Sequence, residues 1–207
     1  MNYIKLLKSE WFNLTDKTNE ISEEIFNSII TAYTNTHRYY HNIDHIGSMI
    51  ELANEFSDEI HDRSAFYFAI FYHDLIYEPS RNDNEVCSAQ CASYDLQKLN
   101  IDKRTTRTTT GIIISTEFHN KQRSNDSNLF LDLDLSILGS PKEQYESYMN
   151  NIRKEYSIYS DKQYRKGRID VLQHFLKMQF IYKTTIFRSR FEHSARSNIT
   201  FELHYLR

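Results

Sequence analysis

The stretch FAIFYHDLIYEPS (68–80) decides how the rest of the chain is read. Its first five residues are apolar or aromatic at every position, as in a helix enclosed by other helices. The run then meets His73 and Asp74, two polar groups placed where a core would otherwise continue. Burying an imidazole and a carboxylate unpaired costs several kcal/mol, which a bound cation would offset. The same exception recurs on both sides. In RYYHNIDHIGSMI (38–50), His41 and His45 stand four apart, so one helix would present both rings on one face. In LFLDLDLSILG (129–139), Asp132 and Asp134 interrupt an aliphatic segment. Any one of these residues alone is ordinarily satisfied by a hydrogen bond, a helix cap or an ion pair. Three apolar segments with the same exception point to one shared cause.

Coordination of a metal is that cause. His45, His73, Asp74 and one of the two late aspartates make a mixed nitrogen and oxygen set suited to a divalent cation: Mn, Fe, Co, Zn, Ni or Mg. Asp132 and Asp134 are two apart and diverge on a helix, so at most one reaches the ion. A metal held by few protein ligands keeps positions for water and substrate, and so generates a nucleophile near neutral pH. Hydrolysis is the expected chemistry.

Outward from these stretches, apolar residues recur at helical spacing: Ile21, Ile25 and Ile29, then Ile46, Met49, Ile50, Ala53 and Phe56, then Val86, Ala89, Leu96 and Leu99. With only 4 glycines and 2 prolines, the chain lacks the punctuation that hairpins need. The expectation is an all-α bundle of about ten helices, near 2–12, 19–34, 39–57, 61–77, 83–99, 103–118, 127–138, 141–157, 161–178 and 187–205. The β-branched run TTRTTTGIIIST (105–116) is read as helix because helices flank it. Breaks fall at Pro79 and Ser80, at KQRSNDSN (121–128), at Gly139 to Pro141 and at Gly167. None resembles a linker, so a single domain over 1–207 is expected.

A net charge of -3 argues against a nucleic-acid binder, which needs clustered Lys and Arg in excess. A small molecule is the better partner. Charged residues enter at Lys5, Lys8 and Glu10, and no segment approaches the roughly 18 apolar residues of a membrane span, so a cytoplasmic protein without a membrane is expected. The oligomeric state is not readable from the sequence. Cys87 and Cys91, spaced i to i+4, read as packed thiols. Glu192, Arg196 and Glu202 read as ion-pairing support in the last helix.

The order H, HD, D carried by RYYHNIDHI, FYHDLIY, NEVCSA and LDLDLSILG resembles the HD superfamily of metal-dependent phosphohydrolases, and FEHSARSNITFEL is similar to the C-terminal segment of a bacterial subgroup of predicted HD phosphohydrolases. The resemblance implies an HD-domain helical bundle over nearly the whole chain. It also implies a metal-activated water attacking a phosphate ester, possibly of a nucleotide. The YHNIDH spacing is similar to an element of cyclic-nucleotide phosphodiesterases, which makes His45 a metal ligand and His41 the general acid. DLS resembles those enzymes' metal-binding aspartate, which selects Asp134 and leaves Asp132 a supporting or helix-terminal contact. Metal ligands are therefore His45, His73, Asp74 and Asp134, with catalytic roles for His41, Asp74 and Glu85. Glu85 lies where many HD proteins carry a histidine or acidic residue near the site. Substrate contacts are expected from Arg38, whose guanidinium suits a phosphate oxygen pair, and from Tyr77, Asn84 and His119. Tyr39, Tyr40, Phe71 and Tyr72 are further candidates for stacking on a base. A catalytically silent metal- or nucleotide-binding regulatory module with the same fold is the alternative.

Overall fold

The computed structural model describes residues 3–15 and 20–206. Among these residues all regular structure is helical: α1 (Tyr3–Leu14), α2 (Glu20–Tyr33), α3 (Ile43–Glu55), α4 (Arg63–Tyr72), α5 (Asn84–Lys98), α6 (Lys103–Ser115), α7 (Asn125–Asp134), α8 (Lys142–Glu155), α9 (Asp161–Lys177) and α10 (Thr185–Leu206), with short 3-10 turns at Ser57–Glu59 and Leu135–Gly139. This is the all-α architecture of about ten helices that the apolar spacing predicts. The expected starts at residues 2 and 19 lie outside the described residues. The chain divides into two compact units, Met1–Phe130 and Leu131–Arg207, and the division falls within α7.

In the first unit α4 is the central helix. Every residue from Ala65 to Tyr72 is buried, and α1, α3, α5 and α6 pack around them. An unbroken apolar sequence is what a helix covered on all sides needs. Trp11 of α1 meets Phe68 and Phe71 edge-on, with ring centroids 5.8 and 5.1 Å apart. Its indole N–H donates to the Ser22 carbonyl at 3.0 Å, so the largest side chain in this core leaves no donor unsatisfied. Phe71 and Tyr72, considered above as platforms for a base, are core residues: both are fully buried, and the Tyr72 hydroxyl donates to Asp95.

The threonine-rich run is helical for a local reason. Asp102 caps it by accepting from the Arg104 and Thr105 amides at 2.9 and 3.0 Å, and the Thr106, Thr108 and Thr109 hydroxyls bond back to carbonyls one turn earlier. Thr109 also reaches the Ala65 carbonyl of α4. Hydroxyls that can bond inside a helix cost little on its buried face.

Two boundaries correct the sequence reading. The helix expected over 39–57 begins only at Ile43, because the Asn42 side chain accepts from the Asp44 and His45 amides and so caps it. His41 therefore precedes the helix instead of sharing a face with His45. The helix expected over 61–77 ends at Tyr72. The ladder breaks at Asp74, whose amide donates to the Tyr33 hydroxyl, and Arg38 takes the Asp74 and Leu75 carbonyls that follow.

In the second unit α10 is the spine, packed by the Leu135–Gly139 turn, α9 and α8. Asp132 is wholly buried and accepts from the Lys183 amide at 2.6 Å and from the Thr184 amide and hydroxyl at 2.7 Å each. Burial pushes its carboxyl above the usual range, although these bonds pull it down. The residue anchors the segment that leads into α10. Glu192 accepts from the Ile181 and Tyr182 amides while pairing with Arg196 at 2.8 Å, so that pair supports the same segment.

Gly139 marks a break in the sequence, but its physical reason is proximity. A Cβ there would lie 2.7 Å from the Phe191 Cβ and 2.9 Å from the Phe191 carbonyl oxygen, so α10 must move back to admit one. Gly139→Ala is expected to lower stability by about 2 kcal/mol through overpacking, read as a lower urea midpoint at unchanged slope.

Candidate metal centre

Two helix ends carry the centre. His45 sits in the first turn of α3, directed by the Asn42 cap, and His73 terminates α4 as its C-cap, followed by Asp74. His45 Nε2 lies 3.1 Å from His73 Nε2, and Asp74 Oδ2 lies 3.0 Å from the second nitrogen and 3.7 Å from the first. Both histidines are buried, with Asp74 half-buried beside them. These three residues form a group able to hold a metal ion. A triangle with sides of 3.0, 3.1 and 3.7 Å has its centre about 1.9 Å from every corner, so an ion slightly off the plane meets the roughly 2.0–2.2 Å bonds that nitrogen and oxygen donors make.

The helix end also sets which nitrogen faces the cluster. Were α4 to continue, the Ile70 carbonyl would accept from the Asp74 amide. That amide donates instead to the Tyr33 hydroxyl, at 3.3 Å. The Ile70 oxygen lies 3.1 Å from His73 Nδ1. A carbonyl only accepts, so a ring bonded to it carries a proton on Nδ1, and with a cation in the cluster the Nε2 lone pair is the one His73 would offer. A carbonyl behind a histidine is the usual second partner of a metal-binding ring. Phe130 meets the His73 ring edge-on at 5.6 Å and fixes its tilt.

His41 precedes the α3 cap, yet its ring lies 5.7 Å from that of His45 and stacks on Tyr77 at 4.1 Å with planes 28° apart. Tyr40 stands against both, at 4.9 Å from His41 and 5.0 Å from His45. The proximity that a shared helix face was expected to give is thus supplied by the turn before the cap.

The remaining predicted residues fall as follows. Arg38 donates to the carbonyls of His41, Asp74 and Leu75 at 3.1, 2.7 and 2.7 Å. Asn84 bonds both backbone groups of Glu78, accepting from its amide at 3.1 Å and donating to its carbonyl at 3.0 Å. Glu85 occupies the first turn of α5 and is half-buried. His119 lies beyond the end of α6 with a left-handed backbone, φ 50°. Asp134 is the last residue of α7 and belongs to the second unit. Tyr39 is exposed.

Sequence reasoning passed over Tyr33 and Ser88. Tyr33 looks like one more apolar residue closing α2, but its hydroxyl accepts from Asp74 and its ring lies 4.8 Å from the Arg38 guanidinium. Ser88 is buried in α5, and its hydroxyl accepts from the Ile76 amide at 3.0 Å. A buried hydroxyl needs a partner, and that requirement is the signal in the sequence.

Among the described residues no helix is long and apolar enough to cross a membrane. Comparison with protein-family models, with curated proteins and with solved structures finds no match for this chain.

Proposed function

We propose that the chain is a metal-dependent phosphohydrolase that cleaves a small phosphate ester with an activated water. The observation that carries this reading is the convergence of His45 Nε2, His73 Nε2 and Asp74 Oδ2 on one point at bonding radius. Asp134 completes the ligand set in this reading, as the resemblance to HD phosphohydrolases implies. A divalent cation held there supplies Lewis acidity, lowering the pKa of coordinated water and neutralising charge on phosphoryl oxygens. His41, beside His45 and stacked on Tyr77, would give the leaving oxygen its proton. Glu85, on the first turn of α5, would orient the attacking water. A nucleotide preference would rest on Tyr39, Tyr40 and Tyr77, none of them a core residue.

The test is a panel of phosphomonoesters, phosphodiesters and nucleotides, screened with Mn²⁺, Co²⁺, Zn²⁺ or Mg²⁺ after removal of bound metal. Hydrolysis that appears on adding metal supports the proposal. Metal binding without turnover on any substrate would favour the silent regulatory module. The two late aspartates are separable by metal titration and thermal melting. Asp134→Asn is expected to reduce metal affinity at least tenfold with little change in melting, while Asp132→Asn is expected to melt earlier with its metal affinity kept.

A further inference from the structure

We infer that Arg38 is a positioning residue of this centre, a clamp that sets His41 and Asp74 relative to each other, and does not bind substrate phosphate. Its significance for catalysis rests on the phosphohydrolase reading; the clamp itself does not.

Both terminal nitrogens of the guanidinium face backbone. One donates to the His41 and Asp74 carbonyls and the other to the Leu75 carbonyl, so one side chain joins the turn before α3 to the segment that follows α4. The aromatic faces of Tyr33 and Tyr77 flank it at 4.8 and 5.7 Å. A planar fork with several fixed donors spans three carbonyls where the point charge of a lysine does not. An arginine that clamps a phosphate turns this fork toward the ligand, and here the protein's own carbonyls take it.

The neighbouring bonds extend the same device. Residues 74, 75, 76 and 78 are held through their backbone by Tyr33, Arg38, Ser88 and Asn84 in turn. Residue 77 lies between the held positions, and the Tyr77 ring is the one that stacks on His41. Arg38 thus reaches the proposed acid by two routes, through the His41 carbonyl and through the Tyr77 ring. It reaches the ligand Asp74 by a third. Asn84, predicted as a substrate contact, belongs to the same support.

The test compares wild type, Arg38→Ala and Arg38→Lys by backbone amide exchange and by Mn²⁺ affinity, the latter read from the EPR signal of free Mn²⁺. In Arg38→Ala the amides of residues 74, 76 and 78 and of the 39–42 turn are expected to exchange at least tenfold faster together. Mn²⁺ affinity is expected to fall about 10- to 100-fold, the usual cost of removing support behind a metal ligand. Added guanidinium ion should restore affinity in Arg38→Ala, a rescue that a general loss of folding would not give. Arg38→Lys, which keeps the charge, covers the case in which the alanine variant fails to fold and is expected to show both defects in weaker form. Unchanged exchange and Mn²⁺ affinity, with the loss confined to a raised KM for phosphate esters, would overturn the clamp and return Arg38 to the substrate. If the wild type binds none of Mn²⁺, Co²⁺, Zn²⁺ and Mg²⁺, the phosphohydrolase reading falls and exchange alone decides: joint loosening of the two segments upholds the clamp, and its absence refutes it.

Discussion

His73→Ala is expected to abolish metal-dependent hydrolysis while the protein remains folded. His73 is the corner of the triangle shared by both short distances, to His45 and to Asp74, so its loss removes the donor nearest to each. The transition-state charge stabilisation of a bound cation is worth several kcal/mol, and at 1.36 kcal/mol per decade this predicts a fall of about 10³-fold in kcat/KM. The fold survives because the backbone N–H of residue 73 keeps its bond to the Ala69 carbonyl, and the lost ring packs at a helix end. A second readout is independent of substrate. Metal at about 100 times its Kd raises wild-type stability by about 2.7 kcal/mol, and the variant should show no such gain. A variant that hydrolyses as fast as the wild type would refute the assignment.

The largest effect on stability is expected in the second unit. Arg168 and Glu202 form a two-pronged pair at 2.7 and 3.0 Å, with their side chains 9% and 1% exposed. The Tyr145 hydroxyl donates to the same carboxylate at 2.6 Å, and Arg168 donates to the Tyr148 hydroxyl at 3.2 Å. Burial and the nearby Glu202 charge push the Tyr145 phenol far above its ordinary value, so it remains a donor. Glu202→Ala leaves a guanidinium and a phenol buried without their acceptor, and is expected to cost about 3–5 kcal/mol. Domains commonly hold only about 5–15 kcal/mol in total, so this variant should approach the limit of folding. The double replacement Arg168→Met with Glu202→Leu should recover the part of the loss that comes from the buried guanidinium, since an apolar pair carries no buried charge, and leave the part due to the Tyr145 phenol. A Glu202→Ala urea midpoint within error of the wild type would show that the pair is not a support.

Much of this architecture is legible without coordinates because its causes are local. The all-round apolar character of residues 68–72 marks an enclosed helix, and α4 is one. The threonine run was helical for reasons contained within a single turn. One error has a local cause too. Histidines four apart suggested a shared helix face, yet Asn42 between them is a strong capping residue, and it starts the helix after His41. Past Tyr72 the backbone groups of Asp74 and Leu75 turn to Tyr33 and Arg38, side chains whose reach the apolar run does not reveal, and α4 stops there.

What the sequence could not show are bonds made across long separations. Arg38 reads as a free cation suited to phosphate until its partners 36 and 37 residues away are known. Asp132 likewise meets its partners 51 and 52 residues on. Periodicity says which face of a helix is buried. It carries no information about which distant carbonyl or amide a polar side chain will find.

The stopping point of α4 has one more implication. The Ile70 oxygen is open to a ring nitrogen only because no further turn claims it, so imidazole readiness is inherited from helix length. The orientation of His73 is thereby built into the backbone, and a cation in the cluster would meet an imidazole already turned toward it. A change in how far that helix winds would therefore re-aim the imidazole without replacing any member of the cluster.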